Sequence, residues 1–282
     1  MPQVTSRDGT TIAFDRTGSG PAVILVDGAF AHRAYVGGRP LAQQLATDFT
    51  AITYDRRGRG ESGDTQPYAV EREIEDIEAL IEVAGPPVCL YGFSSGAVLA
   101  LRAAAQLGTK VARLAVLEPP FTESGDHPKR EFFAYRSRLA ELLEKGRHDD
   151  AVAFFLQDLV PAEVLERMRH TPAWAVMTAV APTLAYDHEV MGDGAVPAEA
   201  AKVRVPVLIL DGGDSPGFKH AAADALAAAI PQAQRQTLPG QVTTVPAEIL
   251  APVLKRFFAD QDRARSGRGA SVDVAPARST YK

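Results

Sequence analysis

The sequence has only one cysteine, Cys89, among its 282 residues, so no disulfide can form within the chain. Cys89 lies in an apolar segment, and we expect it to be a buried structural thiol. No stretch approaches the roughly 18 consecutive apolar residues of a membrane-spanning helix, and residues 1–20 contain no basic segment followed by an apolar one. These absences predict a cytoplasmic protein with no membrane association.

Basic residues are also scarce relative to acidic ones. The chain has 30 Lys and Arg against 35 Asp and Glu, which gives a formal net charge of -5. Surfaces that bind nucleic acid need concentrated positive charge, so we exclude nucleic acid as a partner. With 46% hydrophobic and 23% charged residues, the chain can bury a large core. We predict a small-molecule substrate, no cofactor, no metal ion, and a monomer or homodimer.

Short apolar runs alternate with longer amphipathic stretches, a pattern typical of an α/β protein whose mostly parallel sheet is covered on both faces. Asp8-Gly9 separates two short candidate strands and predicts an antiparallel hairpin at the start. Further strands are predicted at 22–26, 50–54, 88–91, 114–117, 205–210 and near 235–238. Helices are predicted at 71–84, 95–107, 218–230 and about 248–258.

The alternation stops after residue 117 and resumes at 205. Four helices are predicted in this interval, at 129–144, 149–159, 162–169 and 171–183. We interpret residues 119–200 as a helical cap inserted into a core of residues 1–118 and 201–260, with a polar tail at 261–282. Ligands of open α/β sheets bind outside the carboxyl ends of the strands, where a cap covers a pocket. The cap aromatics either line that pocket or hold the cap helices together.

The segment 92–96, Gly-Phe-Ser-Ser-Gly, follows a predicted strand and opens a helix of small residues. Glycines on both sides of a serine allow a sharp strand-to-helix turn that exposes Ser94 above the sheet edge. The helix N-terminus behind it offers free backbone N–H groups, and we expect the N–H of Ser95 to serve as an oxyanion donor.

Here the sequence resembles the α/β-hydrolase superfamily, from about residue 4 to residue 258. Besides the serine turn, VILVDGAF at 23–30 is similar to the family's strand and oxyanion loop. YDRRGRGES at 54–62 resembles the Asp-x-Arg-Gly-x-Gly-x-Ser loop, and VPVLILDGGDSP at 205–216 resembles the late strand with its acid-bearing loop. The resemblance implies an α/β-hydrolase fold, with Ser94 as the catalytic serine and Ala29 and Ser95 as the oxyanion hole. It says less about the reaction, since this fold hosts many chemistries.

The departures from the family pattern concern the base. In the family a histidine follows the last strand and takes the proton of the serine. The corresponding stretch here, 238–245, reads LPGQVTTV and places Thr243 at the position of the histidine. No histidine follows His220 anywhere in the chain. We therefore predict a degenerate triad without its catalytic histidine.

The oxyanion loop and the triad acid are altered too. Asp27 stands where the family often has histidine or glycine, and a carboxylate aimed at an oxyanion would repel it. Asp27 must turn away, be protonated, serve another chemistry, or hydrogen-bond its own loop. The triad acid is either Asp214, beside Ser215 at the usual position, or Glu118, at an alternative acid position known in the superfamily.

Among the six histidines, His32 near the oxyanion loop and His188 at the end of the cap are the two candidates for a replacement base. The arginines at 56, 57 and 59 are the residue type that binds phosphate, but they belong to a loop that the superfamily shares, which favours a structural role. Ser94, Asp27, Glu118 and Asp214 are our candidate catalytic residues. Substrate contacts are predicted for Gly28, Phe30, Phe93, Tyr135, Trp174, Tyr186, His188 and Thr243.

Three functions follow from these features. The first is an enzyme that acts on an apolar small molecule by carbon-carbon bond formation, cyclisation, addition or elimination, in the way of superfamily members that tailor bacterial natural products. The second is an esterase, lactonase or thioesterase whose base has moved to His32 or His188. The third is a ligand-binding protein without catalysis, for which the superfamily offers the plant gibberellin receptor as a precedent.

Overall fold

Eight strands form one sheet in the computed structural model, which describes residues 2–122 and 125–259. The order across the sheet is β1-β2-β4-β3-β5-β6-β7-β8. The β1/β2 and β2/β4 pairs are antiparallel, and every later pair is parallel. The strands are β1 Gln3–Thr5, β2 Thr11–Thr17, β3 Ala22–Val26, β4 Thr50–Tyr54, β5 Val88–Phe93, β6 Val111–Leu117, β7 Val207–Gly212 and β8 Gln234–Leu238.

Helices cover both faces of this sheet. Five of them connect or follow the strands: α1 Arg39–Leu45, α2 Val70–Ala84, α3 Ser95–Leu107, α9 Gly217–Ala229 and α10 Ala247–Ala259. Five more lie between β6 and β7, and we call these the cap helices: α4 Asp126–Glu144, α5 His148–Leu156, α6 Ala162–Arg169, α7 Pro172–Val180 and α8 Leu184–Met191. None of the described helices is long and apolar enough to span a membrane.

The alternation of side chains along the strands builds two cores. In β3, Ile24 and Val26 face the core under α2, α3 and α9, while Val23 and Leu25 face the core under α1 and α10. Every residue of β3 is buried, as expected for a central strand covered on both faces. The residue after β3 continues this alternation, so Asp27 lies on the α1 and α10 face.

The fold predicted from the sequence is confirmed, including the antiparallel start and the buried thiol of Cys89. Most predicted elements lie within a few residues of the observed ones. Two helices were not predicted, α1 and α8, and both are short. The predicted 171–183 helix ends at Val180, where a 3-10 turn at Ala181–Thr183 leads into α8. The domain boundaries stay predictions, and the tail at 261–282 lies outside the described residues.

The cap helices pack on the oxyanion loop through a third apolar cluster. The Phe30 ring meets the Phe155 ring edge to face with centroids 5.1 Å apart. Around this contact lie buried side chains from α4, α5 and α7, including Leu139, Val152 and Met177. The cap therefore rests directly over the segment that follows β3.

Candidate active site

The turn that presents Ser94 depends on two close backbone approaches. Ser94 adopts φ 54° and ψ -126° between β5 and α3, a left-handed conformation that is uncommon for a serine. A Cβ on Gly96 would overlap the carbonyl oxygens of Val26 and Asp27, and a Cβ on Gly92 would overlap Gly96. Both glycines are thus required, because a side chain at either position would push the elbow away from β3.

Ser94 itself is partly exposed at this turn. Within the described residues, no side chain makes a hydrogen bond to its Oγ atom. A Cβ on Gly28 would lie 3.0 Å from the Ser94 Cβ atom, so the oxyanion loop passes directly beside the serine. The structure therefore brings Ser94 and Gly28 together, as the sequence predicts, without a base on the serine in the part of the chain that it describes.

Two arginines donate hydrogen bonds to the backbone carbonyl oxygens of Asp27 and Gly28. Arg59 Nη1 donates to Gly28 O at 2.5 Å, and Arg56 Nη1 donates to Asp27 O at 3.4 Å. A peptide unit is planar and trans, so its C=O and N–H point in opposite directions. Because Arg59 holds the Gly28 carbonyl, the Ala29 N–H points away from Arg59, which leaves it free to act as an oxyanion donor.

All three arginines of the 56–59 loop are buried and paired with carboxylates. Arg56 makes a bidentate pair with Glu73 at 2.6 and 2.7 Å, and Arg57 makes one with Asp76 at 2.7 and 2.8 Å. Since these donors are already engaged, the interpretation of this loop as structural rather than phosphate-binding is confirmed.

Asp187 on α8 joins the cap to this arginine cluster. Its carboxylate accepts from Arg56 at 2.6 Å, from Arg59 at 2.7 Å and from Ser95 Oγ at 2.7 Å. Burial alone raises the pKa of this carboxyl, but the two guanidinium charges outweigh burial and lower its pKa to about 2. Ser95 is thus held in place both by its backbone position as the first residue of α3 and by the hydrogen bond from its hydroxyl to Asp187.

Asp27 is also a buried carboxyl, but its pKa is raised, whereas the pKa of Asp187 is lowered. It is 8% exposed, and its Oδ2 accepts one hydrogen bond, from the Gly38 N–H at 2.9 Å. Burial raises its pKa to about 6, against the lowering effects of the Gly38 hydrogen bond and of Arg59 and Arg56. Of the alternatives for Asp27, the structure shows the side chain turned toward its own neighbouring loop.

A cleft of about 410 Å³ opens at Asp27, in the size range of ligand sites. It lies between α1, the ends of β5 and β6, and the segment from Thr243 to Leu250. Phe93 and Thr243, both predicted substrate contacts, line it, as does Val36, which is 75% exposed and has a positive φ of 50°. The other apolar lining residues are Pro40, Leu41, Tyr91, Leu117, Val245, Pro246, Ala247 and Leu250.

Glu118 occupies a second buried polar cluster, at the end of β6. Its Oε1 accepts from the Gly212 N–H at 3.1 Å and from the Ser215 hydroxyl. Its Oε2 makes no hydrogen bond to any described residue but lies 3.8 Å from Lys219 Nζ. Burial lowers the pKa of Lys219, an effect that the Glu118 charge partly offsets. Asp214, the other candidate acid, is exposed and outside this cluster.

Neither candidate replacement base is hydrogen-bonded to Ser94 in residues 2–122 and 125–259. His188 is 8% exposed, and its ring lies 5.5 Å from the Tyr135 ring and 5.9 Å from the Phe132 ring. Burial lowers the pKa of both His32 and His188. In each case the Nδ1 atom is buried without a hydrogen-bond partner among the residues described.

Six of the eight predicted substrate contacts are not among the described residues that line the cleft at Asp27: Gly28, Phe30, Tyr135, Trp174, Tyr186 and His188. Trp174 donates from Nε1 to Asp149 at 2.5 Å inside the cap cluster. Tyr186 stacks on Tyr68 with centroids 3.9 Å apart, and its hydroxyl hydrogen-bonds to Asp64, at the outer edge of the cap-to-core contact. The structure gives both residues contacts that hold helices together, which is the alternative that the sequence left open.

Two residues of this region were missed from the sequence. Asp187 was missed because α8 was not predicted, although three arginines in a buried loop require nearby acids. Lys219 was missed because a lysine near a helix start is usually solvated. Here it is 6% exposed, which only the packing of α9 on β7 could reveal.

A family model described as "Alpha/beta hydrolase family" matches residues 18–247. The chain belongs to this family. An α/β hydrolase from Sphaerobacter thermophilus DSM 20745 is 49% identical, with a TM-score of 0.82 over 91% of this chain and 100% of that one. A thermophilic esterase from Thermogutta terrifontis has a TM-score of 0.71 at 21% identity, over 92% of this chain and 98% of that one, and shares the fold.

A curated relative, the uncharacterized hydrolase YraK of Bacillus subtilis (strain 168), matches over a shorter segment. It is 34% identical over 103 residues, which are 33% of this chain and 35% of that protein. The chain thus matches about a third of the length of this relative.

Proposed function

We propose that this α/β-hydrolase family member is an enzyme that acts on an apolar small molecule by proton transfer, without an acyl-serine intermediate. One observation carries the proposal: Ser94 Oγ has no base among the described residues, while Asp27 lies in the adjacent cleft with one carboxylate oxygen unpaired. The position after β8 belongs to Thr243, which cannot accept a proton near neutral pH.

The chemistry follows from the pKa of Asp27. A carboxyl whose pKa is about 6 both takes up and releases protons near neutral pH, which suits a general acid-base group. With the substrate carbonyl at the Ala29 and Ser95 N–H groups, Asp27 removes a proton from the neighbouring carbon. The electron pair moves to the carbonyl oxygen, where the two N–H groups and the Ser94 hydroxyl stabilise it.

Such an enolate is the shared intermediate of carbon-carbon bond formation, cyclisation, addition and elimination next to a carbonyl. The proposal therefore covers this group of reactions rather than one of them. A place in bacterial natural-product biosynthesis stays a prediction.

The test is labelling with a fluorophosphonate, which reacts with activated serines, read out by intact mass. We expect no adduct on the wild-type chain. Thr243→His is expected to create a Ser94-dependent adduct, because it returns an imidazole to the loop after β8. Thr244→His, one residue further along the same loop, serves as the matched control. A wild-type adduct that disappears in Ser94→Ala contradicts the proposal.

A serine hydrolase with a relocated base is the second candidate, favoured by the partly exposed Ser94 and by the Nδ1 atoms of His32 and His188, which no described residue pairs. Under this hypothesis the wild-type chain hydrolyses p-nitrophenyl esters, and one of His32→Gln or His188→Gln abolishes that hydrolysis. If neither change does, the hypothesis is wrong.

A further inference from the structure

We infer that the cleft at Asp27 binds an apolar ligand that carries a protonated amine, with the Asp27 carboxylate as its counter-ion. The inference rests on the proposed function for the location of the site. It adds the chemical class of the ligand.

The charges that line the cleft have one sign. Of the described side chains that line it, two are acidic, namely Asp27, which is buried, and Glu248, which is exposed, and none is Lys, Arg or His. The remaining lining is apolar or uncharged. A carboxylate or phosphate ligand would therefore meet two negative charges and no positive one from these residues, whereas an ammonium group would meet both favourably.

Asp27 also has a free acceptor in the right place. Its Oδ2 is occupied by the Gly38 N–H, and its Oδ1 accepts no hydrogen bond from the described residues. Asp27 as a residue is buried, but Oδ1 is not among the buried side-chain atoms that lack a partner, so this oxygen keeps contact with the cleft. An ammonium N–H supplies the missing donor and the opposite charge at one lone pair of Oδ1, and the second lone pair is left for the proton that Asp27 removes in the proposed reaction.

The other charged groups near Asp27 leave this preference intact. Arg56 and Arg59 lie behind it, but Glu73 and Asp187 already pair with them, and Arg59 has no place in the cleft lining. The negative charge of Asp55 further raises the pKa of the Asp27 carboxyl. The phenols of Tyr91 and Tyr54, which also face Asp27, have pKa values raised by burial and stay neutral.

The residues that line the cleft indicate the uncharged part of the ligand. Phe93, Tyr91 and Leu117 come from the sheet edge, and Val245, Pro246 and Leu250 come from the opposite side. These side chains offer aromatic and aliphatic surface against which an aromatic ring can be buried, and burial of apolar surface favours binding.

The experiment compares three probes with one apolar body: naphthylmethylamine, naphthylmethanol and naphthoate, titrated calorimetrically at about pH 7.5, where the amine is charged and Asp27 ionised. We expect the amine to bind about tenfold to hundredfold more tightly than the alcohol, the range for a hydrogen bond to a charged group. The naphthoate is expected to bind most weakly. In Asp27→Asn, the amine and the alcohol should bind equally, while Glu163→Gln, which removes an exposed carboxylate on α6 outside the cleft, should keep the preference.

The preference should also decline below about pH 6, because Asp27 becomes protonated while the amine stays charged. Equal affinities for amine and alcohol in the wild type overturn the inference, as does a preference that persists in Asp27→Asn or the absence of amine binding at millimolar concentration. A fluorophosphonate adduct on Ser94 would contradict the proposed reaction and leave this binding result standing, so the two failures can be told apart.

Discussion

Replacing Asp27 by Asn should stabilise the protein at alkaline pH. Burial raises the Asp27 pKa from 3.8 in the unfolded chain to about 6 in the fold. A raised carboxyl pKa means that the folded state disfavours the charged form. The associated stability is fully present below pH 3.8 and is lost as the pH rises through 6.

The size of the effect follows from this shift. About two pKa units correspond to roughly 3 kcal/mol, all of it expressed at about pH 8, and to about 1 kcal/mol at about pH 4.5. Asparagine is isosteric and keeps an oxygen for the Gly38 N–H, so Asp27→Asn should remove the charge penalty without opening a cavity. The free energy of unfolding should rise by about 2 to 3 kcal/mol at about pH 8 and by only about 1 kcal/mol at about pH 4.5.

Urea unfolding followed by circular dichroism at the two pH values measures this difference. Asp214→Asn, at an exposed carboxylate, controls for the general effect of net charge and should change stability by less than about 0.5 kcal/mol. If Asp27→Asn destabilises the protein at the higher pH, or changes its stability equally at both pH values, then Asp27 is not a buried, unpaired acid and our account of the cleft is wrong.

Three further predictions concern the surroundings of the site, each read by urea unfolding. Lys219→Met should lower the free energy of unfolding by about 3 to 5 kcal/mol, because it leaves the buried Glu118 carboxylate without a counter-charge. Adding Glu118→Gln should recover most of this loss. A double variant as unstable as the single one would show that the pair is unimportant. Asp187→Asn should lower the free energy of unfolding by a similar amount, and this loss should not become smaller between about pH 5 and pH 8. The pKa of Asp187 is lowered to about 2, so its stabilisation is present above pH 3.8 and is lost as the pH falls through 2. A smaller loss of stability at the higher pH would refute this sign. Gly96→Ala should prevent or severely weaken folding, whereas Gly217→Ala, whose added methyl group would meet no described atom within 4 Å, should leave stability within about 0.5 kcal/mol; similar outcomes for both would argue against the close approach at the elbow.

Much of the fold could be predicted from the sequence because local pattern and tertiary context agree there. The buried strands are short and almost wholly apolar, and the serine turn lies between a strand and a helix, so periodicity and motif give the same answer. The antiparallel hairpin at Asp8-Gly9 follows in the same way from turn chemistry. These features depend on residues close together in the chain.

The rest of the site depends on contacts between distant segments. Asp187 meets Arg56 across 131 positions, and Ser215 meets Glu118 across 97. No periodicity links such pairs. Helix α8 is only 8 residues long and follows a 3-10 turn, so it has too few turns for a clear hydrophobic pattern. The cleft was equally invisible, because it forms between α1, which was not predicted, and the segment after β8.

The ion pairs of Asp187 have a consequence for how a substrate reaches Ser94. If the cap helices swung outward, α8 would carry Asp187 away from both guanidinium groups and leave buried charges without partners, at a cost of several kcal/mol. An outward swing of the whole cap is therefore unfavourable in this protein. We expect a substrate to enter through the cleft that Val36 and Val245 help to line, while the cap helices stay in place.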